Sequence, residues 1–380
     1  MGAGTRWAWA EVDLDAIAHN VGVLRRVAAP AAVWAVVKAD GYGHGAVPVA
    51  RAALGAGCEG LCVALTGEGL ALRRAGVDAP ILVLSEQPPG DAAAIAANRL
   101  TPTVSTAEGI DALAGQQVRD LDVHLKIDTG MHRVGAAPAE AAPLVARIDS
   151  HRPWLRLAAV YTHLAVADEP ADPYTDQQLD RFDAVLEAIP PVPVTHAANS
   201  AAALSHERAR RSFVRAGIAV YGISPGHGMD HLCGDLRPAM AVKARVSFVK
   251  RVAAGARISY GLRHTFSVET AVATLPIGYA DGVRRGLSNG GAVLIGGRRR
   301  PIVGVVTMDQ LMVDCGDDPV RAGDEAVLIG SQGDEWITAE DWGDALGTIG
   351  YEVVCGIGAR VPRRYLGRTD VTSASECPPG

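Results

Sequence analysis

Short apolar runs rich in β-branched residues alternate with alanine-rich stretches of helical spacing from about residue 31 to residue 225. The runs Val33–Val37, Gly60–Leu65, Ile81–Ser85, Thr101–Val104, Leu121–Ile127, Leu157–Thr162, Val192–His196 and Phe213–Arg215 have the length and composition of buried strands. Between them, segments such as Ala107–Gln116 and Thr175–Ile189 place their apolar residues along one helical face. This alternation predicts an α/β fold, a (β/α)8 barrel, with a doubly wound sheet as the alternative. Beyond Pro238 the texture changes to Ala241–Val249, Ala271–Pro276, Ala292–Ile295, Ile302–Val306, Leu311–Cys315 and Glu325–Ile329, strand-like runs separated by glycine-rich or charged turns. The division expected is therefore a barrel over residues 1–237 and a mostly β domain over 238–380. The alternating segment Trp7–Val12, which precedes the barrel, is expected to join the second domain.

Composition narrows the function classes. A hydrophobic content of 48% in 380 residues, much of it alanine, suits helices packed tightly around a sheet. The net charge of −6 comes without a long run of either sign. The densest basic cluster, Arg298-Arg299-Arg300, sits between Gly-Gly and Pro and reads as a hairpin turn, which argues against a nucleic-acid partner. Cys58, Cys62, Cys233, Cys315, Cys355 and Cys377 lack paired metal-ligand spacing, so no metal is expected, and Cys58 and Cys62 read as core. The N-terminal residues show no signal-peptide pattern and no apolar stretch reaches membrane-spanning length, which predicts a reduced, cytoplasmic protein with no membrane partner.

The stretch Val33–Gly45 carries the strongest chemical signal. It delivers Lys38 from the end of a buried strand onto a loop with Gly41, Gly43 and Gly45, beside Tyr42 and His44. A desolvated lysine has a lowered pKa, which suits it to Schiff-base chemistry and to work as a base. A barrel gathers its chemistry at the C-terminal ends of its strands. Arg133, His163, Asn199, Ser200 and Arg215 all fall on that rim. Singly, His163 reads as a core histidine, Arg215 as a salt-bridge partner and Ser200 as a helix N-cap. Jointly, with the backbone of Gly217 and Ile218 placed to hold a phosphate, they suit pyridoxal 5′-phosphate (PLP).

In these motifs the chain resembles the alanine racemase family, barrel-type PLP enzymes of fold type III. The most specific block is Ala35–Gly45. Lys126–Met131, Thr162–Ala165, Ala198–Ala201 and Val214–Ile218 support it in the barrel. In the second domain the matching blocks are Ile258–Gly261, Gly278–Gly282, Thr307–Gln310, Tyr351-Glu352 and Arg360–Arg363. The resemblance implies that Lys38 carries PLP and acts as a base on one face of the substrate Cα. Tyr260, supplied by the other subunit of a homodimer, would be the base on the opposite face. His163 and Arg215 would support Tyr260, and Arg215 would face the pyridine nitrogen. Arg133 would bind the substrate carboxylate, with Met308 and Tyr279 from the partner lining its surroundings. Tyr42, Asn199, Ser200, Gly217, Ile218 and Tyr351 would hold the cofactor, and Lys126 is a site of carbamylation in many members. The implied role is supply of D-alanine for peptidoglycan.

Two departures from the family pattern, His132 and Thr307, lie near this site and bear on substrate breadth. Alternatives are a racemase of other small amino acids such as serine, a PLP-dependent decarboxylase, or a non-catalytic PLP-binding protein. Lys126, Arg133 and the Tyr260 block oppose the decarboxylase, and the β domain opposes the non-catalytic class.

Overall fold

The computed structural model describes residues 6–367, so Cys377 and the ends of both expected domains lie outside the described residues. Strand β1 (Ala8–Asp13) runs straight into helix α1 (Leu14–Ala28), because the Asp13 carboxylate accepts from the amides of Asp15 and Ala16 and caps the helix. Eight parallel strands follow: β2 (Ala32–Val36), β3 (Gly60–Val63), β4 (Ile81–Val83), β5 (Thr101–Val104), β6 (Leu121–Lys126), β7 (Leu155–Tyr161), β8 (Val194–His196) and β9 (Phe213–Ala216). Their order is β8-β7-β6-β5-β4-β3-β2-β9, with every ladder parallel. Across the seam between β8 and β9, the Arg215 amide donates to Ala198 O and the Ser212 amide to Thr195 O, each at 3.0 Å. This is the barrel the alternation predicts.

Several strands stop short of their apolar runs. Val37, Leu84, Ile127 and Thr162 lie just past their strands, where the chain begins to turn over the rim, although their amides still donate to Cys62 O, Val63 O, Tyr161 O and His196 O. The barrel wall buries Leu61, Val63, Leu82 and Leu125 completely. It also holds a ring stack running Trp34, Phe213, His196, Tyr161, with successive centroids 4.5, 4.2 and 4.4 Å apart. Cys58 and Cys62 are buried in the core, and burial pushes both thiols up to about 12.

The second domain is antiparallel apart from one edge. Its strands are β10 (Met240–Arg245), β11 (Phe248–Val252), β12 (Arg257–Ile258), β13 (His264–Thr265), β14 (Thr270–Leu275), β15 (Ala292–Ile295), β16 (Arg298–Val303), β17 (Leu311–Gly316), β18 (Glu325–Gln332), β19 (Glu335–Ile337) and β20 (Arg363–Leu366). The main path is β11-β14-β17-β16-β15-β18-β10-β1-β20, with β19 paired to β18 and β12 to β13. β1 lies between β10 and β20, antiparallel to the first and parallel to the second.

Two sequence readings are corrected here. The run Ala241–Val249 is two strands, broken at Val246-Ser247. Arg298-Arg299-Arg300 is not a turn but opens β16. The turn is Gly296-Gly297, at φ 64° and 71°, the left-handed pair that a two-residue hairpin requires. Arg298 and Arg300 instead pair with Asp318.

The junction between the domains is stitched by a buried amide. The Asn20 side chain, on α1, donates to Val220 O (3.0 Å) and Arg237 O (2.8 Å) and accepts from the Arg237 amide (2.8 Å). It thereby ties the last turn of the barrel to the chain entering β10. Asn20→Leu strands these backbone groups in an apolar setting, at about 1–3 kcal/mol for each group left unpaired. A lower urea midpoint is expected, and an unchanged one would show that the junction does not depend on this amide.

Candidate active site

Lys38 sits immediately beyond β2, at the head of a turn of unusual hand. Ala39, Asp40, Gly41 and Tyr42 all have φ between 52° and 61°, so the chain makes one left-handed turn. For L-residues this costs roughly 1–2 kcal/mol each, and the surrounding bonds must outweigh it. The Gly41 amide donates to Val37 O, the Gly43 amide to Ala39 O and the Gly45 amide to Asp40 O. The Asp40 carboxylate accepts from the Ala46 amide, and the Tyr221 hydroxyl donates to Val36 O. Glu68 does most for Lys38 itself: one oxygen accepts from the Ala39 amide at 2.7 Å, the other from the Ala64 and Leu65 amides. Sequence reasoning missed Glu68, although its place at the third residue of a helix beginning at Thr66 is a capping signal.

A cavity of about 650 Å³ opens at this rim. Lys38, Lys126, Arg133, Arg215, His163, Tyr42, Asn199, Ser200, Gly217, Ile218 and Tyr351 all line it. Every barrel residue given a catalytic, cofactor, substrate or carbamylation role from the sequence therefore lines one cavity, while His44 is buried beside it against Tyr221. The lining includes a single carboxylate, Glu352, which is largely exposed, hydrogen-bonded to Thr348 and near Arg284. The cations accordingly act on one another. Burial lowers the Lys38 pKa, and the Arg133 guanidinium lowers it further. Lys126, almost fully buried, is held down to about 7 by burial first and then by Arg215 and Arg133. A cavity built this way awaits anions.

One wall supplies neutral donors. Asn199, not Ser200, caps the helix Ser200–Ser205, its side chain accepting from the Ala202 amide. This leaves the buried Ser200 hydroxyl free to accept from the amides of Gly217 (2.8 Å) and Ala219 (3.3 Å), which fixes the turn after β9. A Cβ on Gly217 would lie 2.6 Å from the Tyr42 hydroxyl, so glycine is what lets the two approach.

On the opposite wall a chain of rings fixes proton positions. Arg215 is buried and has only donors. It donates to His196 Nδ1 at 2.6 Å and to His163 Nδ1 at 3.1 Å, and also to Thr162 O and Ala197 O. Both imidazoles therefore keep their proton on Nε2, and His196 passes its own to His124 Nδ1 at 3.1 Å. Burial, followed by the Arg215 charge, drives His163 and His196 well below the ordinary histidine range. The cation of this chain is Arg215 alone. His196 and His124 were not assigned a role from sequence, though a histidine closing β8 is a signal of the same kind as His163.

Tyr260, Tyr279 and Met308 do not join this site within the chain. Tyr260 is carried by the short β12–β13 hairpin and is 74% exposed, while Tyr279 and Met308 stand 43% and 52% exposed on neighbouring loops. Of the two departures, His132 adopts φ 55° and its ring meets Asp128 Oδ2 at 3.2 Å beside Arg133, and Thr307 bonds within its own turn to Gln310.

A family model described as alanine racemase, N-terminal domain, matches residues 12–225, and one described as alanine racemase, C-terminal domain, matches residues 239–365. The chain belongs to the alanine racemase family. It is 49% identical over 377 residues to the alanine racemase of Symbiobacterium thermophilum, covering 96% of this chain and 99% of that one. The alanine racemase of D-cycloserine-producing Streptomyces lavendulae superposes with a TM-score of 0.90 at 40% identity, covering 96% and 98%. That of Bartonella henselae, whose structure has covalently bound pyridoxal phosphate, gives 0.87 at 29% identity, covering 95% and 100%. With family membership goes the enzyme class, an amino-acid isomerase. Among the described residues no helix is long and apolar enough to cross a membrane.

The Lys126 shift has a stability consequence. Its folded pKa lies below the value of about 10.4 for a free lysine. Between the two, the unfolded chain holds a proton that the folded chain does not, so stability rises with pH from about 7 upward, by at most about 1.4 kcal/mol per unit. Lys126→Met removes a charge that is costly to bury, so its gain in urea midpoint over the parent should be largest near pH 6 and shrink toward pH 9. A pH-independent difference would contradict the depressed pKa.

Proposed function

We propose that the chain interconverts L-alanine and D-alanine with PLP, using Lys38 of one subunit and Tyr260 of its partner as bases on opposite faces of Cα. The observation that carries this reading is the pairing of a cationic, carboxylate-poor cavity around Lys38 with a tyrosine held out into solvent on the second domain. The donor set fits the cofactor. Ser200, Ile218, Tyr42, Asn199 and Tyr351 offer neutral donors for a phosphate beside the Gly217 turn, whose amide is engaged by the Ser200 hydroxyl; Lys38 is a desolvated amine, and Arg215 is a fixed donor that would suit a ring nitrogen. Bound PLP supplies a carbonyl that takes up amines and a ring that delocalises the electron pair left behind when the Cα proton departs.

The protein's part is binding and proton management. Arg133 receives the substrate carboxylate, with Met308 and Tyr279 of the second domain closing the far side. Lys38, its amine pKa already lowered by burial, would take or return a proton on its own face of the substrate Cα. Tyr260 does the same on the other face. An unperturbed phenol, at about 10, is a weak acid; a donor from His163 Nε2, itself oriented by Arg215, makes the phenolate accessible. Because Arg215 keeps its proton, it would leave a pyridine nitrogen held against it unprotonated, which would favour return of the proton over transamination. The lowered pKa of Lys126 leaves much of its amine neutral at ordinary pH, the form that carbamylation requires.

We take the unit to be a cytoplasmic homodimer, with a PLP barrel over residues 1–237 and a partner-completing domain over 238–380, supplying D-alanine for peptidoglycan. Alanine is the substrate that the family name gives; a serine hydroxyl would change affinity by only about 1–3 kcal/mol in such a pocket.

In deuterated water, Tyr260→Phe should lower racemisation by about 100- to 10,000-fold, the range spanned by one general acid–base group. Deuterium should still enter one recovered substrate enantiomer while entry into the other is nearly lost. Equal, small losses for both enantiomers would rule out a base on each face.

A further inference from the structure

Three residues in the family-matched blocks, Asp281, Asp309 and Arg360, touch nothing in the cavity, yet one of them is a fully buried carboxylate. Asp281 Oδ1 meets Arg6 at 2.6 Å and the Arg360 Nε at 3.2 Å, and its Oδ2 accepts from the Gly278 amide at 3.1 Å. Arg360 reaches on to Asp309 at 2.7 Å, and Arg6 donates to the Arg360 carbonyl. A buried carboxylate is stable only when its charge is matched, and here the charge partners Arg6 and Arg360 come from opposite ends of the described chain, while Oδ1 makes no well-aligned hydrogen bond.

What this cluster holds is specific. The turn Gly278–Gly282 carries Tyr279, and the Thr307–Gln310 turn carries Met308. The two are joined through backbone, with the Tyr279 amide donating to Thr307 O at 2.9 Å and the Ala280 amide to Met308 O at 3.0 Å. They are pressed so close that a Cβ on Gly278 would lie 2.2 Å from Thr307 O. Arg360 links the acid of one turn to the acid of the other. From the opposite side, the Gly358 amide donates to Asp281 O at 2.9 Å, anchoring the pair just past the helix Gly350–Cys355, which bears Tyr351. Tyr279 and Met308 thus project into solvent from a backbone that cannot yield.

We propose that Asp281 and Arg360 are positioning residues that fix the Tyr279 and Met308 turns as one rigid lip closing the partner's substrate-carboxylate side. This rests on the shared-site reading above. Because the lip borders the bound amino acid and not the proton-transfer atoms, loosening it weakens substrate binding more than turnover.

The test is steady-state kinetics of holoenzyme variants Arg360→Gln and Asp281→Asn, with Arg360→Lys as the charge-conserving control. Arg360→Gln and Asp281→Asn should raise KM for both enantiomers by roughly 10-fold or more, within the ~100-fold that a 1 Å misplacement costs. Their kcat should stay within about 3-fold, with cofactor absorbance at Lys38 and dimer mass unchanged, and Arg360→Lys should retain most of the parent KM. An unchanged KM in Arg360→Gln overturns the proposal. So does loss of cofactor or dimer in both variants, which would make the cluster a folding element only. A parent chain without racemase activity would instead overturn the shared-site reading and is seen before any variant is made.

Discussion

The gathering of four cations at one rim, with Lys126 and Arg215 buried, is the constraint on which this site depends. Lys38, Lys126, Arg133 and Arg215 face one cavity whose sole carboxylate, Glu352, stands at an exposed edge. Desolvating one such charge costs several kcal/mol, and among the described residues Glu68 beside Lys38 and Asp128 beside Lys126 offset it only in part. The barrel tolerates it because backbone elsewhere is over-determined. Glu68 and Tyr221 hold the left-handed turn after Lys38, and carbonyls and neutral imidazoles absorb the donors of Arg215. In the proposed function, the excess positive charge would supply affinity for a phosphate, a phenolate and a carboxylate together.

The same field sets proton positions. Arg215 can only donate, so His163 and His196 must accept on Nδ1, and both remain neutral. In the proposed shared site, cationic support for Tyr260 would therefore come from Arg215 by way of a neutral His163. The charge resides on the guanidinium, and the imidazole transmits it as an oriented N–H. The lowered pKa values of Lys38 and Lys126 come first from burial, then from Arg133 at Lys38 and from Arg215 and Arg133 at Lys126.

Much of this was legible in the chain because barrel strands are apolar and their C-terminal ends are not. Lys38, His163 and Arg215 stand out as polar residues directly after β-branched runs, and that contrast places them on one rim. The turn at 39–42 was not legible, since Ala39 and Asp40 carry no mark of left-handed backbone; only their tertiary bonds impose it. Ser200 exchanged roles with Asn199 because the two are adjacent and both cap helices well. Arg298–Arg300 looked like a turn because the eye weights charge, whereas Gly296-Gly297 supplies the φ values. Asp281 lay in a matched block without an assigned role, since its partners Arg6 and Arg360 come from the two ends of the described chain.

The central claim is that one active site takes Lys38 from one protomer and Tyr260 from the other. Mixing Lys38→Ala and Tyr260→Phe homodimers, each nearly inactive, under conditions that exchange subunits tests it directly. A heterodimer then holds one site with both bases intact and one with neither. Random pairing makes about half the dimers mixed, so activity should return to about one quarter of the parent level. The Lys38→Ala/Tyr260→Phe double variant mixed with parent should create no new competent site in its heterodimers. No recovery in the first mixture, with subunit exchange verified by mass, would contradict a site shared between two chains.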